Sequence, residues 1–226
     1  MEFVRHHKKW VVFFIGLLLF LLFVGFSYIV HKNIFIHLDF NTTVRLQDHI
    51  SRRFDGLFSF FSDVGKFEIV TTFLLIISAI YFWKSKNWIA VFVAFFSYIS
   101  LHAIEVYGKA FVHHLPPPHF LLRTHDVFTF PEFYVQATNS YPSGHAGRAL
   151  FITVFVGIIV GRNKKISRTL KIFIYSYIAL YDMIMLTSRI YLGEHWLSDV
   201  IGGSLLGIAM GIFASVFLYT TKRHNL

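Results

Sequence analysis

Six apolar runs, each long enough to cross a membrane, most constrain what this chain can fold into. A helix needs about 20 mostly apolar residues to cross the hydrocarbon core of a bilayer. With 55% hydrophobic residues and 28 phenylalanines among 226 residues, the composition excludes an ordinary soluble domain. We predict an all-α bundle of six transmembrane helices, forming one integral membrane domain over residues 1–226. The predicted spans are Trp10–Val30, Phe67–Trp83, Trp88–Gly108, His145–Gly161, Leu170–Thr187 and Trp196–Tyr219. The first lacks a small-residue cleavage site, so we expect a retained span and not a signal peptide.

Basic residues between these runs predict the topology. They precede the first span, join the second to the third and the fourth to the fifth, and follow the last. By the positive-inside rule these segments and both termini are cytoplasmic, so Lys109, His145, Arg189 and His195 face outward. The net charge of +9 is largely this excess, which leaves no basic domain for nucleic acid. The basic residues are Arg5, Lys8, Lys9, Lys84, Lys86, Arg162, Lys164, Lys165, Arg168, Lys171, Lys222 and Arg223.

Two segments outside the spans are expected on the outer side. Thr43 to Phe61 has apolar residues at helical spacing and polar residues elsewhere, which predicts an amphipathic helix lying at the outer interface. We expect this helix to pack over the bundle, and a role in guiding the substrate is the alternative. His113 to Asn139 forms the longest loop, between spans three and four. The chain has no cysteine, so disulfides and thiol chemistry are excluded.

The segment from Ser188 to Asp199 places Arg189, His195 and Asp199, polar residues of three chemical kinds, at the mouth of the last span. If a helix starts near Trp196, His195 and Asp199 stand at i and i+4, where the carboxylate can fix the imidazole tautomer. The other ring nitrogen is then available as a nucleophile or a base. Arg189, in the turn before, offers a planar fork of donors suited to phosphate oxygens.

A second polar cluster, Tyr141-Pro142-Ser143-Gly144-His145, comes just ahead of the fourth span. Ser143 is placed as an N-cap, and a helix start with outward amides can bind an anion. His145 would lie beside that anion.

Small residues recur every fourth position below both histidines. After His145 come Ala149, Thr153, Gly157 and Gly161, and after His195 come Asp199, Gly203, Gly207, Gly211 and Ser215. Such stripes let membrane helices pack closely. We expect these two helices to pack together and bring both histidines to one site. Asp182, a further charge inside the fifth span, either orients an arginine or faces other polar groups.

The segment from Ser188 to Asp199 resembles the third signature of the type 2 phosphatidic acid phosphatase (PAP2) superfamily. It reads Ser188-Arg189, five residues, His195, three residues and Asp199. Pro142-Ser143-Gly144-His145 resembles its second. That superfamily includes bacterial lipid phosphatases, glucose-6-phosphatase and the vanadium haloperoxidases. Its first signature is a lysine, six residues and Arg-Pro, whereas Lys109 is followed at the arginine's place by Pro116.

The resemblance implies a membrane lipid phosphatase of the bacterial cytoplasmic membrane, with its active site on the extracytoplasmic side. His195 would be the nucleophile that forms a phosphohistidine, Asp199 its support, and His145 the acid and then the base. Lys109, Ser143, Gly144 and Arg189 would bind the phosphate. Expected partners are a lipid phosphate and membrane lipids. Phosphatidic acid, phosphatidylglycerol phosphate, a polyprenyl diphosphate and a lipid A-type phosphate all fit as substrates, and the sequence does not choose among them.

Two arginines could replace the one missing from the first signature. Arg123 lies a few positions later in the outer loop, and Arg148 lies three residues after His145. Glu105 precedes Lys109 at i, i+4, the favourable order for an ion pair, and would position it.

Other interpretations remain open at this point. A metal site could draw on His113, His114, His119, His125 and Asp126, but the usual paired spacings are absent and the resembled phosphatases need no metal, so we expect neither metal nor cofactor. The altered first signature also fits a lipid-binding protein with impaired catalysis. A vanadate-type haloperoxidase shares the motif residues, although those enzymes are generally soluble.

Overall fold

The computed structural model describes residues 2–124 and 138–220, in which all regular structure is helical. Three short 3-10 turns, Arg52–Phe54, His119–Leu121 and Val216–Thr220, complete these elements. The α-helices are α1 Glu2–His31, α2 Ile36–His49, α3 Asp55–Val64, α4 Phe67–Ser85, α5 Trp88–Phe111, α6 Gly144–Arg162, α7 Arg168–Tyr191 and α8 Leu197–Ser215.

Six of these helices, α1 and α4 to α8, are long and apolar enough to cross a membrane, which confirms the predicted all-α, six-span bundle. Helices α6 and α8 are the most buried of the six, while α1 and α7 keep most of their surface on the outside. The sequence predicted that Arg189 lies in the turn between the last two spans. Helix α7 runs to Tyr191, however, so Arg189 lies in its last turn.

The two central helices α6 and α8 pack backbone to backbone, as expected from the glycines of α8. A Cβ added at Gly203 would lie 2.2 Å from the carbonyl oxygen of Ser143, and one at Gly207 would lie 2.2 Å from that of Gly147. Real Cβ atoms do not approach so closely, so glycine sets this helix spacing.

The small residues of α6 were also predicted to face α8, which is wrong for the C-terminal half of that helix. Gly157 and Gly161 face α7, where the ring of Tyr175 covers them and its hydroxyl donates to the carbonyl of Gly157 at 2.9 Å. The face of α6 turned to α8 carries Gly147 and Phe151 instead. An i, i+4 stripe drifts around a straight helix with 3.6 residues per turn, so it does not stay on one neighbour.

The single amphipathic helix predicted over Thr43–Phe61 is also wrong. The chain forms α2 and α3, separated by Ile50 and Ser51 in extended conformation and a 3-10 turn. Apolar packing is only part of their contact with the bundle, because Leu46 packs against it while Leu57 is exposed and the fully buried positions are polar. Beside a bundle in lipid, apolar side chains can remain outside, whereas polar ones need protein partners. The buried set is Asp39, Thr43, Gln47, Asp55, Ser59, Ser62 and Asp63.

The two ends of the bundle differ in chemistry. At one end the side chain of Lys9 lies over the ring of Phe217, and Arg162 donates to the carbonyl of Leu218 at 2.7 Å. The basic connections between the spans are at this end. The opposite end holds α2, α3 and the start of α6, and there His113 contacts His31 at the end of α1. The two PAP2-like motifs lie at this second end.

Candidate active site

Four helix ends bring the sequence-predicted polar residues together. The C-terminal turns of α5 and α7 carry Lys109 and Arg189, and the N-terminal turns of α6 and α8 follow Ser143 and His195. The backbone N–H of Ser143 donates to the carbonyl of Asp199 at 3.0 Å, which ties the two motifs to each other directly.

His195 lies beside Asp199, as predicted from the i, i+4 spacing. Its Nδ1 is 3.4 Å from Oδ2 of Asp199, and the same oxygen accepts the backbone N–H of Trp196 at 3.0 Å. The carboxylate is fully buried and the histidine is nine-tenths buried. Because Nδ1 is turned to the carboxylate, Nε2 is the ring atom available for chemistry.

The environment of His195 keeps its imidazole neutral. Burial lowers the pKa of this ring, the hydrogen bond to Asp199 opposes that effect, and the charges of Arg189 and Lys109 lower the pKa further. The net pKa lies below the ordinary value near 6.5. A neutral imidazole keeps the lone pair that a nucleophile needs.

The second histidine, His145, lies in the first turn of α6, where Ser143 is the N-cap and its Oγ accepts the N–H of Ala146 at 3.5 Å. Nδ1 of His145 is 3.3 Å from Nη2 of Arg148. A guanidinium can only donate, so Nδ1 accepts and the ring proton lies on Nε2. That Nε2 is buried and has no hydrogen-bond partner among residues 2–124 and 138–220.

Glu105 joins the basic groups of this site. Its Oε1 is 3.0 Å from Nζ of Lys109, which confirms the predicted ion pair, and its Oε2 is 3.1 Å from Nη1 of Arg148. A Cβ at Gly144 would lie 1.9 Å from Oε1 of Glu105, so this carboxylate occupies the space that a side chain at position 144 would need. The remaining donor of Arg148, Nε, binds the carbonyl of Gly65 at 3.1 Å.

Arg189 is buried, and two of its three guanidinium nitrogens have protein partners. Its Nη1 donates to Oγ of Ser62 in α3, and its Nη2 pairs with the carboxylate of Glu194. Nε is buried without a hydrogen-bond partner in the described part of the chain. Two unpartnered N–H groups, on Arg189 and His145, therefore belong to one site, since the charge of Arg189 acts on His145.

Two further residues contact Asp199 or its neighbour Ser198: His114, which the sequence offered only as a possible metal ligand, and Asp39, which sequence reasoning did not single out. His114 lies on Asp199, with Nδ1 2.8 Å from Oδ1, and its Nε2 is 3.5 Å from Oδ2 of Asp39. Asp39 in turn accepts the N–H and hydroxyl of Ser198, at 2.8 and 2.7 Å. The signal for Asp39 was present in the sequence, as the polar spacing Asp39, Thr43 and Gln47 along one helix face.

Three further sequence candidates lie in distinct places. Arg123 donates from Nη1 to the carbonyl of Gln47 at 3.2 Å and covers the ring of Tyr191, so it is engaged with α2 and α7. Oδ1 of Asp182 is buried without a partner among the described residues. His125 and Asp126 lie outside the described residues, and the described ones include no group of three or more metal-ligating side chains.

The site therefore combines two histidines, a carboxylate and several cationic or N–H donors at one end of a six-span bundle. Such a set of groups suits an integral membrane protein that binds a phosphate group. The PAP2 superfamily sequence model matches residues 86–223, more than half of the chain. The chain belongs to the PAP2 superfamily.

Two solved structures share this fold. One is described as "the first transmembrane PAP2 type phosphatidylglycerolphosphate phosphatase from Bacillus subtilis"; it superposes with a TM-score of 0.71 at 19% identity, over 92% of this chain and 98% of that one. The other is LpxE of Aquifex aeolicus, with a TM-score of 0.56 and 20% identity, over 78% of this chain and 94% of that one. No curated protein sequence matches this chain.

Proposed function

We propose that this protein is a membrane lipid phosphatase that transfers the phosphate of a lipid to His195 and then to water. The observation that carries the proposal is the convergence of His195, supported by Asp199, with two unpartnered N–H groups, on Arg189 and His145. A neutral nucleophile next to unused donors is the arrangement that phosphoryl transfer requires.

In the first step Nε2 of His195 attacks phosphorus and the bond to the lipid oxygen breaks. Asp199, on Nδ1, stabilises the positive charge that develops on the ring. His145 gives the leaving oxygen a proton from Nε2, the atom that carries it in this site. The donating form is the doubly protonated ring, which the negative charge of the bound phosphate favours; Nδ1 then carries a proton, so Nη2 of Arg148 has to turn from Nδ1 to another acceptor.

In the second step water attacks the phosphohistidine. His145 now takes a proton from that water, the N–P bond of His195 breaks, and inorganic phosphate leaves. Arg189, Lys109, the hydroxyl of Ser143 and the N–H of Gly144 would bind the phosphate oxygens, and no metal is needed if these donors suffice. Arg148, held by Glu105 and Gly65, orients His145 and adds the positive charge that Pro116 removes from the first signature.

The position of the site at one end of the bundle supports a lipid as the substrate. The motifs lie at a helix-bundle end, opposite the basic connections, so a lipid could keep its tails in the bilayer while its head group enters the site. We place this end on the extracytoplasmic side. The two solved relatives are named for a phosphatidylglycerolphosphate phosphatase and for LpxE, which supports a lipid phosphate for this chain too.

The test is phosphate release by purified protein in detergent, with a chelator, from phosphatidic acid, phosphatidylglycerol phosphate, a polyprenyl diphosphate and a lipid A-type phosphate. We expect release that survives the chelator and disappears in His195→Ala, and the fastest lipid would identify the substrate class. Protein denatured with detergent at alkaline pH, where the N–P bond is stable, should carry phosphate on His195. His145→Ala, which lacks the base of the second step, should accumulate it from a substrate whose leaving group needs no proton.

Failure on every lipid by a folded protein would contradict the proposal. It would favour the lipid-binding alternative, in which Pro116 at the arginine's place has cost the activity. Halide oxidation with peroxide after vanadate loading would favour the haloperoxidase alternative.

A further inference from the structure

The proposed mechanism gives no role to His114, whose imidazole contacts the carboxylate of Asp199. This side chain is 4% exposed and lies in the segment after α5. Its two ring nitrogens face two carboxylates, Asp199 at 2.8 Å and Asp39 at 3.5 Å. Carboxylates only accept hydrogen bonds, so the geometry favours a proton on each nitrogen and a positive charge on the ring.

The position of this ring is fixed by its own backbone. The carbonyl of His114 accepts the N–H and the hydroxyl of Ser140, at 2.9 and 3.1 Å, and its N–H donates to Oδ1 of Asn139 at 3.2 Å. Both partners immediately precede Tyr141 and the Pro-Ser-Gly-His motif. The segment that leads into α6 and carries His145 therefore also fixes the position of His114 beside Asp199.

Asp199 is thus shared by two imidazoles. Its contact with His114, 2.8 Å, is shorter than its contact with His195, 3.4 Å. A carboxylate whose charge is partly neutralised by one imidazolium attracts a proton on the second imidazole less strongly.

We propose that His114 is a positioning residue of the active site, whose imidazolium holds Asp199 so that this carboxylate orients His195 without making it basic enough to be protonated. The inference rests on the proposed function only for the reaction that His195 performs. A neutral His195 keeps its lone pair in mildly acidic medium, and the phosphohistidine cation is stabilised less, which speeds its hydrolysis.

The two rings differ in the sign of the charges around them, cations dominating at His195 and carboxylates at His114. His195 faces Asp199 of α8, Arg189 of α7, Lys109 of α5 and His145 of α6, and of these only Asp199 raises its pKa. For His114, burial would lower the pKa, but the hydrogen bonds to Asp199 and Asp39 and their charges raise it to about 9. His114 is therefore cationic over the pH range in which His195 titrates.

The test replaces His114 by asparagine, whose amide nitrogen stands where Nδ1 stood but carries no charge. With protein labelled with 15N in its histidines, the ring of His195, assigned by its loss in His195→Ala, is titrated by NMR. We expect the pKa of His195 to rise by about one unit in His114→Asn, because a nearby cation is lost. The acidic limb of kcat/KM should move by the same amount, so that activity falls about tenfold on that limb.

The matched control is His113→Asn, the same change at the preceding residue, whose exposed ring lies 5.2 Å from the ring of His31 between centroids. It should leave both titrations as in the wild type. If His114→Asn does not fold, judged by gel filtration and melting, His114→Gln gives the same charge change with a longer amide.

An unchanged pKa of His195 in a folded, neutral variant at position 114 would overturn the inference, even if that variant melts earlier. The two proposals fail separately. A wild type that releases no phosphate refutes the proposed function, yet the NMR titration needs no substrate and still decides the role of His114.

Discussion

At the scale of the residue, the carboxylate of Glu105 occupies the space beside Gly144 that a larger residue there would need. Glu105 reaches over Gly144 and holds Lys109 and Arg148 at 3.0 and 3.1 Å. It is buried, and an uncompensated buried charge is costly, so the three groups form a unit. The glycine of the Pro-Ser-Gly-His motif leaves the space that this carboxylate occupies.

Gly144→Ala is therefore expected to impair the site without unfolding the bundle. The new Cβ would lie 1.9 Å from Oε1 of Glu105, so the carboxylate must move and take its cationic partners with it. A displacement of about 1 Å in a catalytic group can cost about 10²-fold in rate. The measurement is phosphate release from the best lipid, with melting of the variant in parallel.

Gly157→Ala is the control for this change, on the same helix. Its Cβ would meet only the Tyr175 ring at 3.5 Å, an ordinary contact, and activity should stay at the wild-type level. Equal activities of the two variants would show that the position of Glu105 does not matter for turnover.

At the scale of the element, the distance between α6 and α8 sets the distance between the two motifs. The carbonyl oxygens of Ser143 and Gly147 approach α8 at Gly203 and Gly207. Membrane helices are not driven together by the hydrophobic effect, so this close backbone contact supplies much of their attraction.

Gly207→Ala should weaken that contact. The added Cβ would lie 2.2 Å from the backbone oxygen of Gly147, an atom that cannot rotate away. Overpacking of this kind costs about 1–3 kcal/mol. We expect earlier thermal unfolding in detergent, by about 2–4 °C for each kcal/mol.

In contrast, Gly25→Ala on α1 meets nothing within 4 Å and should melt as the wild type does. If Gly207→Ala melted with that control, the close packing of α6 on α8 would not contribute to stability.

At the scale of the whole molecule, polarity is separated between the two ends of the bundle. One end gathers the basic connections and the other gathers the motif residues under α2 and α3. The polar side chains of α2 reach inward, since Gln47 donates to the carbonyls of Leu121 and Tyr191 at 2.7 and 2.8 Å. We therefore expect α2 and α3 to cover the site at the outer membrane face.

The chain has no cysteine, so single cysteines can test this orientation directly. Ser51→Cys, between α2 and α3, should react with a membrane-impermeant maleimide added to intact cells, because Ser51 is exposed at the site end. Lys164→Cys, between α6 and α7, should react only after the membrane is opened, because the positive-inside rule predicts a cytoplasmic position for that connection. The reverse pattern would place the active site inside the cell and contradict the proposed topology.

Some features of this protein were determined by the sequence alone. Long apolar runs have few alternatives to membrane helices. His195 and Asp199 meet because the carboxylate at the third position of α8 turns back over the start of the helix, where it also accepts the N–H of Trp196. The ion pair of Lys109 with Glu105 follows in the same way, and so does the N-cap of Ser143. Each of these interactions is local in the chain, so spacing suffices to predict it.

The tertiary structure decided what joins distant parts of the chain. Asp39 and His114 are 160 and 85 residues from Asp199 along the sequence, and no periodicity relates them. The inward turn of the polar faces of α2 and α3 likewise follows from partners on other helices. In a low-dielectric interior a polar group goes where its hydrogen bonds can be made, and only the folded chain shows where that is.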